Sequence, residues 1–329
     1  MFAVQAWIFV SVAYLAALYA FVFPQDWHDQ DGLYVTFATG AFLIRTFLFH
    51  LGFILALVAI LALWLKHWRL LACTLPLWIV CHGPALLEYL PKQAAAPADG
   101  TVIKVMSVNL LGCNQDTSGI LAEVAVFQPD ILALQEYRDH WHAAFSAALG
   151  DSYPYFCHQV RDDDFGQALY SRLPFAQPAD MKLPLGDSGT PQTRVAVLVE
   201  GREIAVYNVH LMPPKSIAYA GRQRGEFANL LEIIAREERP TIVCGDFNFT
   251  NDSPFADALT RAGMSDVHRL CGVGREATWP VLYFYRYLPG LRLDHLFLSR
   301  EFGGVSCGIG VGRGSDHRPV QAEVLLRGH

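Results

Sequence analysis

The chain has 329 residues, a formal net charge of −6 and a hydrophobic fraction of 53%. That fraction is too high for an ordinary soluble protein, and the excess lies in the first 91 residues, which contain only three Lys or Arg. The remainder, with 22 Lys and Arg against 27 Asp and Glu, is large enough for a full core but lacks the basic excess expected of a protein that grips duplex nucleic acid.

Three apolar segments, at 2–23, 42–65 and 70–90, are each long enough to cross a bilayer as a helix. Each has at most one charged residue, and several tryptophans lie where interfacial aromatic residues belong. We therefore predict a membrane domain over 1–91 with about three transmembrane α-helices. The alternatives are two spans, buried soluble helices, or a signal peptide for the first segment, which lacks the basic start typical of one.

The loops between these segments predict the orientation. Lys66-His67-Trp68-Arg69 is basic, whereas Gln25 to Gly32 is acidic. Because Lys and Arg favour the cytoplasmic side, we expect an integral protein of the cell or inner membrane whose C-terminal part is extracytoplasmic. Residues 92–100 are rich in small residues and proline and form a predicted linker, which leaves 101–329 as a separate domain.

Apolar periodicity in this domain predicts alternating strands and helices, and hence α/β layers. The predicted helices lie near 117–127, 139–149 and 216–237. The predicted strands lie near 101–109, 131–136, 153–158, 167–171, 193–199, 203–210, 241–245, 293–298 and 319–326. The cysteines show no CxxC pair or zinc-ligand spacing, and whether Cys271 and Cys307 form a disulfide stays open.

Polar residues end several of these apolar strands. They are Asn109, Glu136, Asn208 with His210, Asp246 with Asn248, and, near the C-terminus, Asp294 and the pair Asp316 and His317. Packing gives no reason for strands to end repeatedly in such residues. The pattern predicts one site assembled from the ends of several strands.

The ordered motifs S-V-N, L-Q-E, G-x-A-L-x-S-R, N-V-H-L, G-D-F-N, L-D-H-L-F and S-D-H-R-P resemble the endonuclease/exonuclease/phosphatase superfamily over roughly residues 100 to 327. As a set they are specific, although no single motif is. The resemblance implies a four-layer α/β sandwich, in which two mixed β-sheets are flanked by helices and the site lies at one end. It also implies metal-assisted attack of water on a phosphodiester or phosphomonoester.

Glu136 is the expected principal ligand for Mg²⁺ or Mn²⁺, with Asn109 assisting, because few and hard oxygen ligands suit these ions and argue against zinc. Asp316 is a candidate for a second metal or for orienting water. Whether one metal or two act stays open.

The remaining site residues have expected roles in hydrolysis. His317 would lie against the attacking water or the phosphate, with Asp294 fixing its tautomer. Asp246 would orient or deprotonate the water, and Asn248 would donate to a non-bridging oxygen. His210 matches the family's second histidine, while Arg194 and Asn208 are candidates for binding the substrate phosphate. A solvated position at a strand edge is the alternative for Arg194.

Two departures from the family pattern argue against particular subfamilies. Leu111 stands where abasic-site endonucleases and many relatives carry an acidic residue. The run Arg292-Leu293-Asp294-His295 lacks the cysteine of the inositol phosphatase motif.

The substrate is less constrained by the sequence. A membrane anchor favours a lipid headgroup, and the aromatic run 279–289 is predicted to be core packing, a lip against the bilayer or a stacking platform for bases. A nuclease acting outside the cytoplasm is the rival, because a local basic patch can hide in an acidic total. An inactive, membrane-tethered binding module is disfavoured because the Glu, His and Asp positions are all retained.

Overall fold

The computed structural model describes residues 2–96, 100–186, 189–190 and 192–328, so residues 97–99 of the predicted linker lie outside the described residues. The helices are α1 Phe2–Val22, α2 Gly32–Thr46, α3 Leu48–Trp64, α4 Trp68–Leu87, α5 Thr117–Phe127, α6 Asp139–Leu149, α7 Ile217–Arg236, α8 Pro254–Arg261 and α9 Val267–Cys271, with a 3₁₀ helix at Tyr283–Tyr287. The strands are β1 Gly100–Asn109, β2 Ile131–Gln135, β3 Tyr155–Gln159, β4 Gln167–Ser171, β5 Asp180–Leu183, β6 Gln192–Val199, β7 Arg202–His210, β8 Thr241–Asp246, β9 Ser265–Asp266, β10 Asp294–Leu298, β11 Phe302–Ile309 and β12 Val320–Arg327.

Two sheets form the centre of the C-terminal part. One has the order β11-β12-β1-β2-β4-β3 and the other the order β5-β6-β7-β8-β10-β9, and each mixes parallel and antiparallel pairs. Side chains such as Val105, Val195 and Leu296 pack between the sheets. The outer faces carry α5 and α6 on one side, and α7 and α8 on the other. This arrangement confirms the predicted α/β sandwich.

The first four helices are long and apolar. Helices α1 and α4 are each long enough to cross a membrane, and α2 with α3 form a third candidate span that bends by 58° at Phe47. The predicted span 42–65 is therefore two helices. Helix α2 begins earlier than expected, because the Asp31 carboxylate caps it by accepting hydrogen bonds from the Leu33 and Tyr34 amides.

Helix α2 contacts α1 and also packs one face on the sandwich. Arg45, in its last turn, forms an ion pair with Asp257 of α8 at 2.6 Å. Phe42, three residues earlier, packs edge-on against Phe255 with ring centroids 5.4 Å apart. The contacts join the N-terminal helices to the sandwich along α2.

The loop between α1 and α2 is a second attachment. The Trp27 ring packs 4.7 Å from both Phe227 and Phe255, and the Arg224 guanidinium lies over it at 4.9 Å. At the opposite end of the helices, Phe2 lies near His67, with ring centroids 6.4 Å apart. The helices thus place the sandwich at one end and the basic loop Lys66–Arg69 at the other.

Most predicted elements are present within a residue or two of their expected limits. Those the pattern did not indicate are β5, β9, β11, α8, α9 and the 3₁₀ helix. Cys271 and Cys307 are both free thiols in the structure.

Replacing Trp27 with alanine should destabilise the whole protein. The change removes three ring contacts at the junction, and for a half-buried tryptophan we expect a loss of roughly 2 kcal/mol, or about 5 °C in Tm, measured by thermal unfolding in detergent. Trp64→Ala is the matched control, because Trp64 is 77% exposed on α3. Equal shifts in the two variants would contradict the docking role of Trp27.

Candidate active site at the ends of the two sheets

Strand pairing brings three polar residues into one row. Asp246 ends β8, where the parallel register with β7 sets it beside His210 and the antiparallel register with β10 sets it beside Asp294. Gly245 has a φ of +141°, and a Cβ there would lie 1.8 Å from the Val209 carbonyl oxygen. Only glycine therefore fits immediately before the central aspartate.

His317 completes a cluster around Asp246. Its Nδ1 lies 2.8 Å from Asp294 Oδ2, and its Nε2 lies 3.8 Å from Asp246 Oδ2. His210 Nε2 lies 3.6 Å from the same Asp246 oxygen. All four side chains are buried. Two histidines therefore flank one carboxylate, and a second carboxylate orients one of them.

The loops that carry these residues are held by hydroxyl groups. Ser315 Oγ donates to the Asn109 carbonyl at 2.7 Å and accepts from the His317 amide at 3.0 Å. Thr278 Oγ1 accepts from the amides of Leu293 and Asp294. The orientation of the His317 and Asp294 pair thus depends on backbone contacts from both sheets.

Asn109 links the two sheets at the site. Its Nδ2 donates to Glu136 Oε1 at 2.9 Å and to Asp246 Oδ2 at 3.1 Å. Glu136 Oε2 accepts from the Gly112 amide at 2.7 Å. Glu136 itself has a φ of +58°, an uncommon backbone conformation for a side-chain-bearing residue that recurs at functional sites.

Burial and charge oppose each other in the cluster. Burial raises the pKa of Asp246, and Asp294 raises it further, while His317 and His210 act against them. Burial alone would lower the pKa of His317, but the carboxylates of Asp294 and Asp246 outweigh it and raise that pKa to about 10. Each charge therefore stabilises its neighbour of opposite sign.

The site opens into a cleft of about 610 Å³. Asn109, Glu136, His210, Asp246, Asn248, Asp316 and His317 line it. Trp279 also lines it and donates from Nε1 to Asp316 Oδ2 at 3.1 Å. Asn248 has a φ of +53°, and its Nδ2 donates to the Leu211 carbonyl at 2.9 Å.

The donors present fit a divalent cation. One oxygen of Asp246, one of Asp294 and a nitrogen of His317 lie within 4.8 Å of one another. Asp294 Oδ1 is buried and has no hydrogen-bond partner among the described residues. With Glu136 and Asn109 beside them, the set offers mainly hard oxygen ligands, the type that Mg²⁺ and Mn²⁺ prefer.

Comparison with known proteins agrees with this geometry. The sequence profile of the Endonuclease/Exonuclease/phosphatase family matches residues 106–317. The chain belongs to the endonuclease/exonuclease/phosphatase family. No match was found among curated protein sequences.

Solved structures share the fold. A family member from Beutenbergia cavernae DSM 12333 is 20% identical, with a TM-score of 0.56 over 69% of this chain and 72% of its own. One from Bacteroides thetaiotaomicron is 21% identical, with a TM-score of 0.56 over 69% and 98%. TDP2 from D. rerio, complexed with a single-strand DNA product, is 18% identical, with a TM-score of 0.54 over 68% and 98%.

Asn208 and Arg194, which the sequence predicted to bind the substrate phosphate, lie outside the cleft of the present protein. Asn208 is fully buried between the sheets, where its side chain bonds to Gln135 and to the Leu134 and Ala168 carbonyls. Arg194 lies on the outer face of its sheet and pairs with Glu237 at 2.5 Å. The interpretation of both as phosphate ligands is corrected, since neither polar group reaches the site.

The sequence did not indicate several residues that line the cleft. These are the polar residues Arg161, Lys215, Tyr219 and Arg222, and Phe42, Leu43, Thr46 and Phe47 of the N-terminal helices. Loops supply Arg161 and Lys215, helix α7 supplies Tyr219 and Arg222, and the end of α2 with the following Phe47 supplies the rest. The only sequence pattern that could have indicated further cleft residues was the aromatic run that begins at Trp279.

Replacing Arg194 with glutamine should reduce stability but not substrate binding. The change removes a charged hydrogen-bonding partner from Glu237, which is only 6% exposed, and should cost about 2 kcal/mol in the free energy of unfolding. The KM for a phosphoester should stay within about twofold of wild type. Arg300→Gln, at a side chain 92% exposed, is the control for stability. A large rise in KM would instead show that Arg194 contributes to substrate binding.

The same variant should show a defined pH dependence. Burial favours the neutral form of Glu237, yet hydrogen bonds from Arg194, Arg239 and Tyr207 hold its pKa at about 2 against an ordinary 4.5. The stabilisation is therefore complete above pH 4.5 and is lost as the pH falls towards 2. The stability difference between wild type and variant should shrink over that range.

Proposed function

We propose that the protein is a membrane-anchored, Mg²⁺- or Mn²⁺-dependent phosphoesterase that hydrolyses P–O ester bonds. The observation that carries this proposal is the convergence of Glu136, Asp246 and His317 from different strands and loops on one cleft. Hydrolysis of a phosphate ester needs charge neutralisation, an activated water and stabilisation of the leaving oxygen, and the cleft has groups for each task.

Glu136, assisted by Asn109, is the proposed principal holder of the metal ion, with Asp316 as a further candidate. When bound, the ion would neutralise charge on the phosphate and polarise the bond to be broken. The Asp246, Asp294 and His317 set lies beside Glu136, so the pocket offers ligands for one ion or two.

The chain's own residues would then position water and phosphate. Asp246 orients the attacking water and accepts its proton. His317, oriented by Asp294, presents Nε2 towards the phosphate, and Asn248 donates its second amide hydrogen to a non-bridging oxygen. The water oxygen forms the new bond to phosphorus, the ester P–O bond breaks, and His210 protonates the departing oxygen.

A nuclease is the second candidate within the same chemistry. It is favoured by the fold shared with D. rerio TDP2, a structure that contains a single-strand DNA product, and by the cationic residues Arg161, Lys215 and Arg222 at the cleft. The acidic total charge of residues 92–329 argues against a large surface for nucleic acid.

Substitution at the site should abolish most of the activity. His317→Ala and Asp246→Asn should each lower kcat/KM for bis(4-nitrophenyl) phosphate at least about a hundredfold, and EDTA should remove wild-type turnover until Mg²⁺ or Mn²⁺ is restored. His28→Ala is a control at an exposed position. Activity within tenfold of wild type in both site variants would contradict the catalytic roles assigned to His317 and Asp246.

We also propose that the cleft lies outside the cytoplasm. The basic loop Lys66–Arg69 is at the end of the helices opposite the sandwich, and such loops stay in the cytoplasm. Alkaline phosphatase fused to the C-terminus in a bacterial host should therefore be active, because that enzyme needs export to fold. A fluorescent C-terminal fusion that matures only in the cytoplasm should be dark, and the reverse pair of results would invert the topology.

A further inference from the structure

The bend between α2 and α3 forms one wall of the catalytic cleft. Phe42, Leu43, Thr46 and Phe47 line the same cavity as Asp246 and His317. Leu43 is 42% exposed and Phe47 is 47% exposed. An enzyme for a small soluble ester has no need for an apolar wall donated by membrane helices.

The length of α3 determines where these cleft-lining residues lie relative to a bilayer. Its 17 residues span about 25 Å at 1.5 Å per residue, slightly less than the roughly 30 Å of hydrocarbon it must cross. In the candidate span that α3 forms with α2, we place its first residue close to the membrane boundary on the sandwich side, because a helix this short leaves no turn beyond the hydrocarbon. Phe47, immediately before its first residue, lies at the boundary on the sandwich side, and the cleft opens there.

An aromatic segment marks the same boundary. Phe284, Tyr285, Tyr287 and Leu288 are between 50% and 80% exposed. The Pro289 carbonyl at the end of this segment lies 2.8 Å from His50 Nε2 in the first turn of α3. Exposed aromatic side chains at the level of a helix end are typical of the membrane interface. The contact with His50 favours the interpretation of this run as a lip against the bilayer.

The cleft is also amphipathic. Lys215 and Arg222 line it together with the apolar wall, and within the described residues neither forms a salt bridge. A cation near the catalytic cluster and hydrocarbon-like surface towards the membrane together match an anionic phosphate that carries an apolar chain. A nucleic acid strand would match the cations but not the wall.

We propose that the substrate is a membrane lipid phosphodiester that enters the cleft sideways from the bilayer, past Phe47. Its hydrocarbon end lies along Phe42, Leu43 and Phe47, while its phosphate reaches the Asp246 and His317 cluster. Water supplies the oxygen that bonds to phosphorus, one ester P–O bond breaks, and the departing alcohol oxygen takes a proton, which leaves a phosphate monoester. The inference rests on the phosphoesterase activity and membrane insertion proposed above.

The test uses the full chain, reconstituted in vesicles of phosphatidylglycerol and phosphatidylcholine with Mg²⁺ or Mn²⁺, and follows products released from the lipid. Phe47→Ala should lower kcat/KM for the lipid about tenfold more than for bis(4-nitrophenyl) phosphate, the scale expected for lost contacts in an apolar pocket. Phe37→Ala is the matched control, because Phe37 is 50% exposed on α2 and does not line the cleft. It should change the lipid rate by less than about twofold.

Wild-type protein gives a second measurement that needs no variant. With detergent-dispersed lipids of one headgroup, kcat/KM should rise with acyl chain length if the wall contacts the chain. No dependence on chain length, or equal losses for Phe47→Ala and Phe37→Ala, would overturn the inference.

The other outcomes separate the inference from the activity on which it rests. Turnover of bis(4-nitrophenyl) phosphate without lipid hydrolysis would overturn the proposal of a lipid substrate but support the proposed phosphoesterase activity. Cleavage of single-stranded DNA without lipid hydrolysis would make the protein an anchored nuclease. If no ester is hydrolysed with either metal, the proposed function itself fails, and the inference with it.

Discussion

The site depends on the burial of one carboxylate, Asp246. A buried charge is strongly unfavourable unless hydrogen bonds and opposite charges surround it. Here Asn109 donates to one oxygen and the Asn248 amide donates to the other, while His210 and His317 lie within 4 Å. These partners come from both sheets and from the C-terminal loop. The carboxylate is therefore compensated only when the whole sandwich is assembled, which couples folding of the domain to formation of the candidate site.

The same requirement explains where the backbone is strained. Glu136 and Asn248 both have left-handed backbone conformations within two residues of the end of a strand, a conformation that costs of order 1–3 kcal/mol for such residues. Each conformation turns a polar side chain into the cleft instead of continuing the strand. Hydrogen bonds from Asn109 and Gly112 to Glu136, and from Asn248 to the Leu211 carbonyl, offset part of that cost. The site is thus held by its surroundings and is available before substrate binds.

The sequence predicted the central strands and the convergence of polar strand ends on one cleft because both follow from local patterns. Apolar runs that end in Asp246 or Glu136 show where the strands stop. Arg194 shows the limit of such reasoning: β6 carries apolar side chains on both faces, so alternation alone does not reveal which face meets the other sheet. The glycine-rich strand β11 lacks alternation, and the docking of α2 depends on contacts as distant in sequence as Arg45 with Asp257. Long-range contacts of this kind leave no periodic signal.

Docking of the N-terminal helices has a consequence for the activity proposed at a membrane surface. A flexible tether would let the cleft sample many heights and angles above the bilayer. Here Trp27 packs against Phe227 and Phe255, and Arg45 is paired with Asp257, so two separate segments of the N-terminal part hold the sandwich at helix α8. Such attachment removes the orientational freedom that would otherwise oppose a productive encounter with the proposed membrane substrate. Helix α2 therefore serves two purposes at once, since the same turn that anchors the sandwich through Arg45 supplies the apolar wall of its cleft.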